Sequence, residues 1–575
     1  MISRSRWQLF PADPVAASRL AHTCHLPPLI GQFLLNRGIG DPQEVERFFS
    51  PDGSALRDPL ELSGMREAVT TVRQAVASRS PIMVFGDSDV DGMTASAIVF
   101  DVLTSLGAAT TVRIANRLAH GYGFPSSLIR EVVRLKVKVV LLVDCGTNQA
   151  EEIRRLAAHR VKTVILDHHL PTDHLARPSA LINPHCADAR GLPQTASFGA
   201  PIAHPADGWV PGLGRELCSA GLAFKFAQAM WGKGDERLAS LMELAAIGTL
   251  ADYVPLLGEN RILVNLGLRR LLHSSRPGLR LLCEALQLTR ATPEQVLGRL
   301  TPCLNAAGRL GQAMAVWRVL VESSVRRAKS LIRTIGQIYQ TSKVLHRRML
   351  SEANEQASRL HFKDHAVVMV GRRGWHPGFM GPVAAQLADR FGRPAIAIAM
   401  DETAAVGSGR SMGMCNLFEA LRACEGTLLR YGGHARACGL TLAPENLERL
   451  REQLNRYMQT TGSRAQNGRR LAIDAQASLQ EMTREVACAM ERFAPFGPEN
   501  ERPLVMIRQV RLEEDASRVS WLTDGQTTRK IWGRRLALSP DEWYDLVGSP
   551  RLVTGDVAMS LCEARLTRLS ERVPV

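Results

Sequence analysis

Apolar runs of strand length alternate with amphipathic stretches from residue 81 onward. The runs "PIMVF" (81–85), "VKVVLLVD" (137–144) and "VKTVILD" (161–167) are nearly continuous, as in strands that are buried on both faces. Between them, "TASAIVFDVLTSLG" (94–107) and "QAEEIRRLAAHR" (149–160) have the spacing of helices with one apolar face. This alternation predicts a parallel sheet covered by helices.

The same pattern returns later in the chain, after a long helical stretch. Apolar residues spaced by three and four, Val325, Ala328, Ile332, Ile335 and Tyr339, predict a long helix. A second α/β pattern begins at "HAVVMVG" (365–371), and the last hundred residues contain short β-like runs that predict a small barrel. We therefore predict an α/β fold divided into a helical lead-in (1–60), an α/β domain (61–315), a connecting helix (316–360), a second α/β domain (361–462) and a barrel (463–575).

The charge and the cysteines add a partner class and a compartment. The 71 Lys and Arg against 56 Asp and Glu give a net charge of +15, which favours a polyanionic partner but also occurs in enzymes that bind no nucleic acid. The 11 cysteines form no CxxC pair, which favours a reducing compartment over a disulfide framework. No apolar core of signal-peptide length and no run of 18 apolar residues occurs, so we expect a cytoplasmic location and no membrane association.

Acidic residues follow several of the predicted strands. Asp87, Asp89 and Asp91 in "GDSDVDG" (86–92) follow the first strand, Asp144 ends the next, and Asp167 in "LDHH" ends the third. Because the carboxyl ends of parallel strands share one edge, we expect these side chains to converge. An Asp-rich turn is also common as a solvated loop or a helix cap, but converging carboxylates repel one another unless cations neutralise them. The adjacent histidines at 168 and 169 suit a metal site or a phosphate contact.

Several motifs carry a resemblance to a known family. Four stretches of the chain resemble, in order, the motifs of the DHH phosphoesterase superfamily: "GDSDVDGMTAS" (86–96), "VDCG" (143–146), "LDHH" (166–169) and "GTLADYVPL" (248–256). Five further stretches resemble the single-strand-specific exonucleases of the RecJ family: "NRLAHGYG" (116–123), "LNAAGRL" (304–310), "GSGRS" (407–411), "YGGHARACGL" (431–440) and "APFGPENERPL" (494–504). The resemblance implies that the two α/β domains, DHH and DHH-associated, flank a cleft and that the barrel is of the OB type.

The resemblance also implies an activity and a set of site residues. It implies two divalent cations, Mn2+ or Mg2+, and hydrolysis of single-stranded DNA from the 5′ end to mononucleotides, in DNA recombination and repair. Its candidate metal ligands are Asp87, Asp89, Asp91, Asp144, His168 and Asp252, with Asp144 as the bridge. His169 is expected to act as the catalytic donor and Asp167 to orient the histidines. The candidate nucleic-acid-binding residues are Arg117, Arg309, Ser408, Arg410, Gly432, Gly433 and His434.

Other interpretations of some of these residues stay open on the sequence alone. The glycines also suit ordinary turns, and His434, Trp375 and His376 also suit packed positions. In the barrel, aromatic residues that could stack on bases could equally form core, and basic residues that could form a groove could be solvated surface. These barrel residues are Phe493, Phe496, Trp521, Trp532, Tyr544, Arg529, Lys530, Arg534 and Arg535.

Two other functions are compatible with the motifs. One is that of an enzyme that degrades short oligonucleotides or cyclic dinucleotides, and the other is that of a non-catalytic scaffold. Ser88, Cys145 and Gly311 differ from the residues common in the family, and the segment 190–213 is longer than usual. Single-stranded DNA is the expected substrate and a monomer the expected state, while a helicase and a single-strand-binding protein are candidate partners that no motif establishes.

Overall fold

A computed structural model of the chain describes residues 5–172, 174–186, 216–361, 365–411, 415–461, 470–514, 520–533, 536, 538–540 and 542–567. The segment 190–213, Arg534 and Arg535 lie outside these residues. Within them, all 11 cysteines carry free thiols. No described helix combines the length and the apolar character needed to cross a membrane.

The N-terminal segment consists of one strand and three short helices. Asp13 and Asp41 cap two of the helices by accepting backbone N–H groups, and Pro14 and Pro42 occupy the first helical positions, where the missing N–H costs nothing. The elements are β1 (Arg6–Leu9), α1 (Pro14–Thr23), α2 (Pro28–Leu35) and α3 (Pro42–Phe49), followed by 3-10 turns at Gly53–Ala55 and Pro59–Glu61.

The first α/β domain contains the predicted parallel sheet. Its strands are β2 (Ile82–Gly86), β3 (Thr110–Ile114), β4 (Val139–Val143), β5 (Lys162–Leu166) and β6 (Ala180–Ile182). They lie in the order β3-β2-β4-β5-β6, and all four pairings are parallel. Strands β2 and β4 are fully buried, which accounts for their continuous apolar sequences.

Helices cover both faces of this sheet and extend beyond it. Around the strands lie α4 (Met65–Ala77), α5 (Val90–Ser105), α6 (Arg117–His120), a 3-10 turn (Ser126–Leu128), α7 (Ile129–Arg134) and α8 (Ala150–Ala158). A helical layer follows, with α9 (Ser219–Trp231), α10 (Leu238–Ala251), α11 (Gly258–Leu271), α12 (Pro277–Ala285), α13 (Pro293–Gln295), a π-helical turn (Val296–Leu300), α14 (Thr301–Arg309) and α15 (Ala313–Val321).

A single long helix joins the two α/β domains. Helix α16 (Val325–Ser358) has 34 residues, so it is about 50 Å long. Ile335 and Ile338 in its first half belong to the core of the first domain, whereas Met349 and Ala353 in its second half belong to a core of the second. The helix therefore fixes the two domains at either side of a cleft.

The second α/β domain has a mixed sheet. Its strands β7 (Val368–Arg373), β8 (Ala395–Met400), β9 (Ala405–Arg410), β10 (Arg430–His434) and β11 (Ala437–Leu442) lie in the order β10-β11-β9-β8-β7. Only the β7–β8 pairing is parallel. Its helices are α17 (Met380–Phe391), α18 (Leu417–Arg422) and α19 (Leu447–Thr460), with 3-10 turns at Pro377–Phe379, Glu425–Thr427 and Pro444–Asn446.

The C-terminal domain is a closed barrel that shares its core with the N-terminal helices. Its elements are β12 (Arg470–Ile473), β13 (Ala475–Gln476), α20 (Arg484–Glu491), β14 (Val505–Glu514), β15 (Ser520–Thr523), β16 (Thr528–Ile531), β17 (Trp543–Val553) and β18 (Asp556–Leu566). The pairing of β14 with β17 closes the order β14-β15-β16-β18-β17 into a barrel. Strand β1 pairs with β12, and Phe33 of α2 packs in one cluster with Phe493 and Leu546. The predicted fold class is confirmed, while the exact domain boundaries stay predictions.

A buried ion pair ties the segment before the first domain to its helical layer. Lys225 of α9 and Glu259 of α11 are 1% and 3% exposed. The Lys225 Nζ donates to Glu259 Oε1 at 2.6 Å and to the carbonyl of Arg57 at 2.7 Å, and Glu259 accepts the Arg57 N–H at 2.9 Å. Neither charge is accessible to water, so each depends on the other.

We predict that Lys225→Met lowers the free energy of unfolding by about 3–5 kcal/mol, because it leaves the Glu259 carboxylate buried and unpaired. The double variant Lys225→Met with Glu259→Leu should recover most of this loss. Urea unfolding of the first domain measures the effect, with Lys329→Met on the exposed surface of α16 as the control. Equal stability of Lys225→Met and the control would contradict the prediction.

Candidate active site

The parallel register places three aspartates at one edge of the first sheet. Asp87, Asp144 and Asp167 each follow directly after a strand. Their backbone N–H groups continue the ladder to the next strand, to Val143 at 3.2 Å, Leu166 at 2.9 Å and Ile182 at 3.1 Å respectively. The three side chains therefore start from adjacent positions at the carboxyl edge, where ligands bind in such sheets.

Two further aspartates come from the first turn of α5. Asp89 caps the helix by accepting the Gly92 N–H at 3.1 Å. Asp91 is 2% exposed, and its two oxygens accept the N–H groups of Ser219 and Ala220 at 2.8 Å. These donors form the N-terminus of α9, whose dipole stabilises a carboxylate.

Asp252 reaches the same cluster from the end of α10. Gly248, one turn before it, packs tightly on α5, since a Cβ there would lie 2.6 Å from Thr94 Oγ1 and 2.8 Å from Asp91 Oδ1. A larger residue would push α10 away from the acidic cluster. Glycine at this position lets the helix end bring Asp252 close to Asp91.

The six predicted metal ligands converge around His168. Its Nε2 lies 3.5 Å from Asp144 Oδ1, 3.5 Å from Asp252 Oδ2 and 3.8 Å from Asp91 Oδ2. Ligand atoms within 4.8 Å of one another form three overlapping groups: Asp87, Asp89 and Asp144; Asp91, His168 and Asp252; and Asp144, His168 and His169. Asp144 is common to two groups, at the centre of the cluster.

The electrostatics of the cluster fit the binding of cations. Burial and the charges of Asp89, Asp91 and Asp87 raise the pKa of Asp144 well above its ordinary value. Burial and the neighbouring aspartates raise the pKa of Asp252 to about 9. Carboxylates crowded in this way ionise together only when positive charge is added. The mixed set of carboxylates and one imidazole suits Mn2+ better than Mg2+, which prefers oxygen ligands alone.

His169 is held by Asp167 and reaches the surface of the site. The buried Asp167 accepts the His169 Nδ1–H at 2.7 Å, the His168 N–H at 2.8 Å and the Thr147 N–H at 3.1 Å. Burial opposes protonation of His169, but the hydrogen bond to Asp167 and its charge raise the pKa of His169 to about 9. With 42% of its side chain exposed, the imidazolium can donate to a bound ligand at neutral pH.

Arg117 lies within the acidic cluster rather than beside it. It begins α6, and its Nε donates to Asp87 Oδ1 at 2.9 Å while its Nη2 contacts Asp87 Oδ2 and donates to Asp89 Oδ2 at 2.9 Å. Its guanidinium packs over the ring of Tyr122, 5.4 Å from the centroid. A single positive charge thus contacts two carboxylates and offsets half of their combined charge.

Arg309 of the first domain and Arg410 of the second both lie near the start of α17. A Cβ on Gly378 would lie 2.2 Å from the Arg309 carbonyl oxygen, and one on Gly381 would lie 2.9 Å from Arg410 Nη2. Arg410 on β9 donates from Nη1 to Ser408 Oγ at 2.9 Å and to the carbonyl of Gly409 at 2.8 Å. Burial and the charge of Arg410 lower the pKa of Arg309, at the end of α14. Among the ion pairs of the described residues, none includes either arginine. Two neighbouring guanidinium groups without a carboxylate favour an anionic ligand.

Strand β10 brings its glycines and His434 to the same cleft. A Cβ at Gly432, or at Gly439 opposite it, would meet no atom within 4 Å, so this strip is open and free of side chains. Gly433 has φ +128, a conformation that favours glycine. Burial and the charges of Arg410, Arg436 and His169 lower the pKa of His434.

Trp375 and His376, which could have been either packed or functional residues, belong to the packing of the second domain. Trp375 is 4% exposed, lies in the core, and donates from Nε1 to Glu352 at 2.7 Å. His376 accepts the Gly378 N–H at 3.2 Å and so caps a 3-10 turn. These contacts explain both residues without a ligand.

The chain matches known families over most of its length. The matches are to the DHH family, N-terminal domain, over residues 81–249, the DHHA1 domain over 363–460 and the RecJ OB domain over 473–521. The single-stranded-DNA-specific exonuclease RecJ of Thermus thermophilus is 32% identical over 514 residues, which are 88% of this chain and 70% of that protein. The chain belongs to the RecJ family. The RecJ of Bacillus subtilis is 31% identical over 518 residues, 89% of this chain, but the chain spans only 63% of that protein's length.

The structure agrees with a solved RecJ. The crystal structure of Thermus thermophilus RecJ in complex with Mn2+ superimposes with a TM-score of 0.80 at 26% identity, covering 98% of this chain and 80% of that one. This match extends the family relationship from the individual domains to their arrangement.

The three departures from the RecJ pattern leave the acidic cluster intact. The carbonyl of Ser88 packs directly on Gly308 of α14, where a Cβ would clash with it. Cys145 is fully buried behind Asp144. Gly311 has φ +71, a conformation in which glycine is favoured over most residues. None of the three removes a carboxylate or histidine from the cluster.

Four residues in or near the site are absent from the residues predicted from the sequence. Ser219 donates from Oγ to Asp144 Oδ1 at 2.9 Å, and the Tyr122 hydroxyl lies 3.1 Å from His169 Nδ1. Gln386 Nε2 lies 3.3 Å from His346 Nε2 on α16, and burial and the charge of Arg309 lower the pKa of His346. A serine at a helix start and a histidine within a long helix are both common for structural reasons, whereas Tyr122 belongs to the stretch "NRLAHGYG" (116–123) and could have been found there.

The barrel aromatics divide between core and surface. Phe493, Phe496 and Tyr544 are buried in the core of the barrel. Trp532 is 43% exposed, and the guanidinium of Arg551 lies 5.5 Å from its ring centroid. Of these four aromatic residues, only Trp532 is exposed, and together with Arg551 it has the character of a surface on which bases stack.

We predict that Mn2+ binding releases protons, because the raised pKa values of Asp144 and Asp252 keep protons on the cluster until a cation displaces them. Affinity should therefore rise as the pH increases from about 6 to about 9, since protons compete less at higher pH. Calorimetric titration in buffers of different ionisation enthalpy measures the protons released. Asp252→Asn should release fewer protons, and a binding enthalpy that does not depend on the buffer would contradict the prediction.

Proposed function

We propose that this chain is a metal-dependent exonuclease that hydrolyses single-stranded DNA from the 5′ end to 5′-mononucleotides, in DNA recombination and repair. The observation that carries the proposal is the convergence of six metal-ligand candidates at one sheet edge, together with two arginines, Arg309 and Arg410, that form no ion pair among the described residues. Relatives named as single-stranded-DNA-specific exonucleases, one of them solved with Mn2+, support it.

We assign the cluster to two divalent cations, Mn2+ or Mg2+. Asp87, Asp89 and Asp144 would hold one, and Asp91, His168, Asp252 and Asp144 the other, with Asp144 shared. When bound, such a pair lowers the pKa of a water and stabilises charge on the phosphate. Ser219 and the N-terminus of α9 keep Asp144 and Asp91 oriented by hydrogen bonds.

His169 is the proton donor of the site in this proposal. Its pKa of about 9 keeps it protonated at neutral pH, so it donates a hydrogen bond to a phosphate oxygen and stabilises the charge that develops there. Asp167 fixes the ring through Nδ1, and this hydrogen bond leaves Nε2 as the donor to the substrate.

Arg309 of the first domain and Ser408 and Arg410 of the second bind the end of the strand. Arg410, Ser408 and Arg309 offer donors without a competing carboxylate, which suits the dianionic 5′ phosphate. Arg117 pairs with Asp87 and Asp89 in this structure, and cations on those carboxylates would free it for the same phosphate. A 5′ phosphate held by these residues would place the adjacent phosphodiester at the acidic cluster, so that digestion starts at the 5′ end.

The selectivity for single strands follows from the cleft. Gly432 and Gly433 of β10 leave an open strip on which the backbone of a DNA strand could lie close to the sheet, with His434 next to them. The Trp532–Arg551 pair of the barrel would hold bases farther along the strand. A monomer that acts with a helicase and a single-strand-binding protein stays a prediction.

We predict that the enzyme releases mononucleotides from 5′-labelled single strands and leaves blunt duplex intact. Asp144→Asn should reduce the rate at least about 100-fold by removing the shared carboxylate. Asn is the appropriate replacement because residue 144 has φ +64, which Asn tolerates and Ala does not. Digestion of 5′- and 3′-labelled strands with Mn2+ measures both effects.

The exposed Asp389→Ala on α17 serves as the matched control and should retain full activity. Full activity of Asp144→Asn would refute the assignment of the cluster. Faster turnover of dinucleotides than of long strands would instead favour the oligonucleotide-degrading rival, and inactivity of the wild type with Mn2+ would favour the scaffold.

We further predict that Arg410→Ala raises the KM for 5′-phosphorylated strands roughly 10- to 100-fold, the effect of losing a charged hydrogen bond. The KM for 5′-hydroxyl strands should change little, because they lack the phosphate that the guanidinium contacts. Steady-state kinetics on the two substrates measure the difference. Arg390→Ala, at the far end of α17, is the control, and equal losses on both substrates would argue against a phosphate contact.

A further inference from the structure

A loop of the barrel domain lies against the turn that follows Asp252. The loop 494–500 lies within the "APFGPENERPL" stretch, and the proposed function assigns it no role. The carbonyl of Pro498 accepts the Leu256 N–H at 2.9 Å. A Cβ on Gly497 would lie 2.6 Å from Leu256 Cδ1, so the loop packs on Leu256 without a gap. Leu256 is fully buried in the core of the first domain.

The loop is held rigid from within. Asn500 is fully buried, and its Nδ2 donates to the carbonyls of Phe493 and Pro495, both at 2.8 Å. The backbones of Gly497 and Asn500 exchange hydrogen bonds of 3.1 Å. Arg261 of α11 fastens the loop to the first domain by donating to the Phe493 carbonyl at 2.7 Å. The loop therefore acts as a fixed surface against which the turn rests.

The turn itself is strained next to the metal-ligand candidate. Tyr253, the residue after Asp252, has φ +61 and is 69% exposed. This left-handed conformation is unfavourable for an aromatic residue and persists only where its surroundings hold it. Within the first domain, the Asp252 N–H donates to the Gly248 carbonyl at 2.9 Å and the Tyr253 N–H to the Leu250 carbonyl at 3.3 Å. Farther along the turn, the Asn260 side chain donates to the Pro255 carbonyl at 2.9 Å, and the Pro498 carbonyl adds a restraint from the barrel domain.

We propose that the loop 494–500 is a positioning element for Asp252, so that docking of the barrel completes the cation site formed by Asp91, His168 and Asp252. The inference rests on the proposed function, because it concerns the affinity of that site for a divalent cation. Without the loop, the turn at Tyr253 relaxes toward an ordinary conformation and Asp252 rotates away from His168. The barrel then contributes to the metal centre as well as to strand binding.

The test is a titration of the full-length chain with Mn2+ in the absence of DNA. The electron paramagnetic resonance signal of free Mn2+ measures how much of the ion is bound. Asn500→Ala, which loosens the loop, and Gly497→Val, which wedges it away from Leu256, should each weaken one class of bound Mn2+ about tenfold or more, as loss of a ligand's supporting contacts does. The matched control is Asn455→Ala in the second domain. Asn455 is 8% exposed and also bonds to backbone, accepting the Ala366 N–H at 2.7 Å, so it should lose stability without losing Mn2+ affinity.

A second measurement separates positioning from a general loss of structure. Asn tolerates the left-handed conformation, so adding Tyr253→Asn to Gly497→Val should restore part of the Mn2+ affinity, whereas a merely unfolded interface would gain nothing. Thermal melts identify any variant that does not fold, and the other variant then decides. Wild-type Mn2+ affinity in a folded loop variant, or no rescue by Tyr253→Asn, overturns the inference. Absence of Mn2+ binding in the wild type would instead refute the proposed function.

Discussion

The mutual repulsion of carboxylates at one edge of the first sheet is the constraint on which the rest of the site depends. The parallel register starts Asp87, Asp144 and Asp167 from adjacent positions, and α5 and α10 add the remaining acids. The protein compensates for this charge with its own groups, through the N-terminus of α9 on Asp91, Arg117 on Asp87 and Asp89, and the histidine pair beside Asp167. Compensation is incomplete at Asp144 and Asp252, where burial and repulsion raise the pKa values, and this imbalance is what a divalent cation corrects.

The cleft combines acidic and basic groups from both domains. The first domain carries the acidic cluster and Arg309, the second carries Arg410, and neither arginine has an ion-pair partner among the described residues. A phosphodiester backbone needs both kinds of surface, because its charge must be held at one point and neutralised during cleavage at another. Helix α16 fixes the distance between the walls by packing its two halves into different domain cores.

The sequence predicted those features that follow from local pattern and the order of motifs. Buried strands, the convergence of strand-end acids and the long helix follow from periodicity and the geometry of parallel sheets, and the family was recognisable from its motifs. Contacts between distant segments could not be predicted in this way. Ser219 contacts Asp144 across 75 residues of chain. Arg117 turns toward Asp87 and Asp89 because the attraction to these two carboxylates exceeds the cost of removing its guanidinium from solvent. Trp375 is core because Glu352 of α16 meets its indole N–H, a pairing that depends on tertiary structure.

The shared core of the N-terminal helices and the barrel has a consequence for how the chain folds. Phe33 and Val45 are buried against residues such as Phe493 and Met559, and β1 finds its partner strand only at residues 470–473. During synthesis the apolar sides of α1–α3 therefore stay uncovered until residues 470–567 have left the ribosome. The α/β domain that begins at α4 contains its own core and can form during that interval. Assembly thus brings α1–α3 onto the barrel after the α/β domain has formed, and removal of the barrel would expose the apolar sides of these helices to solvent.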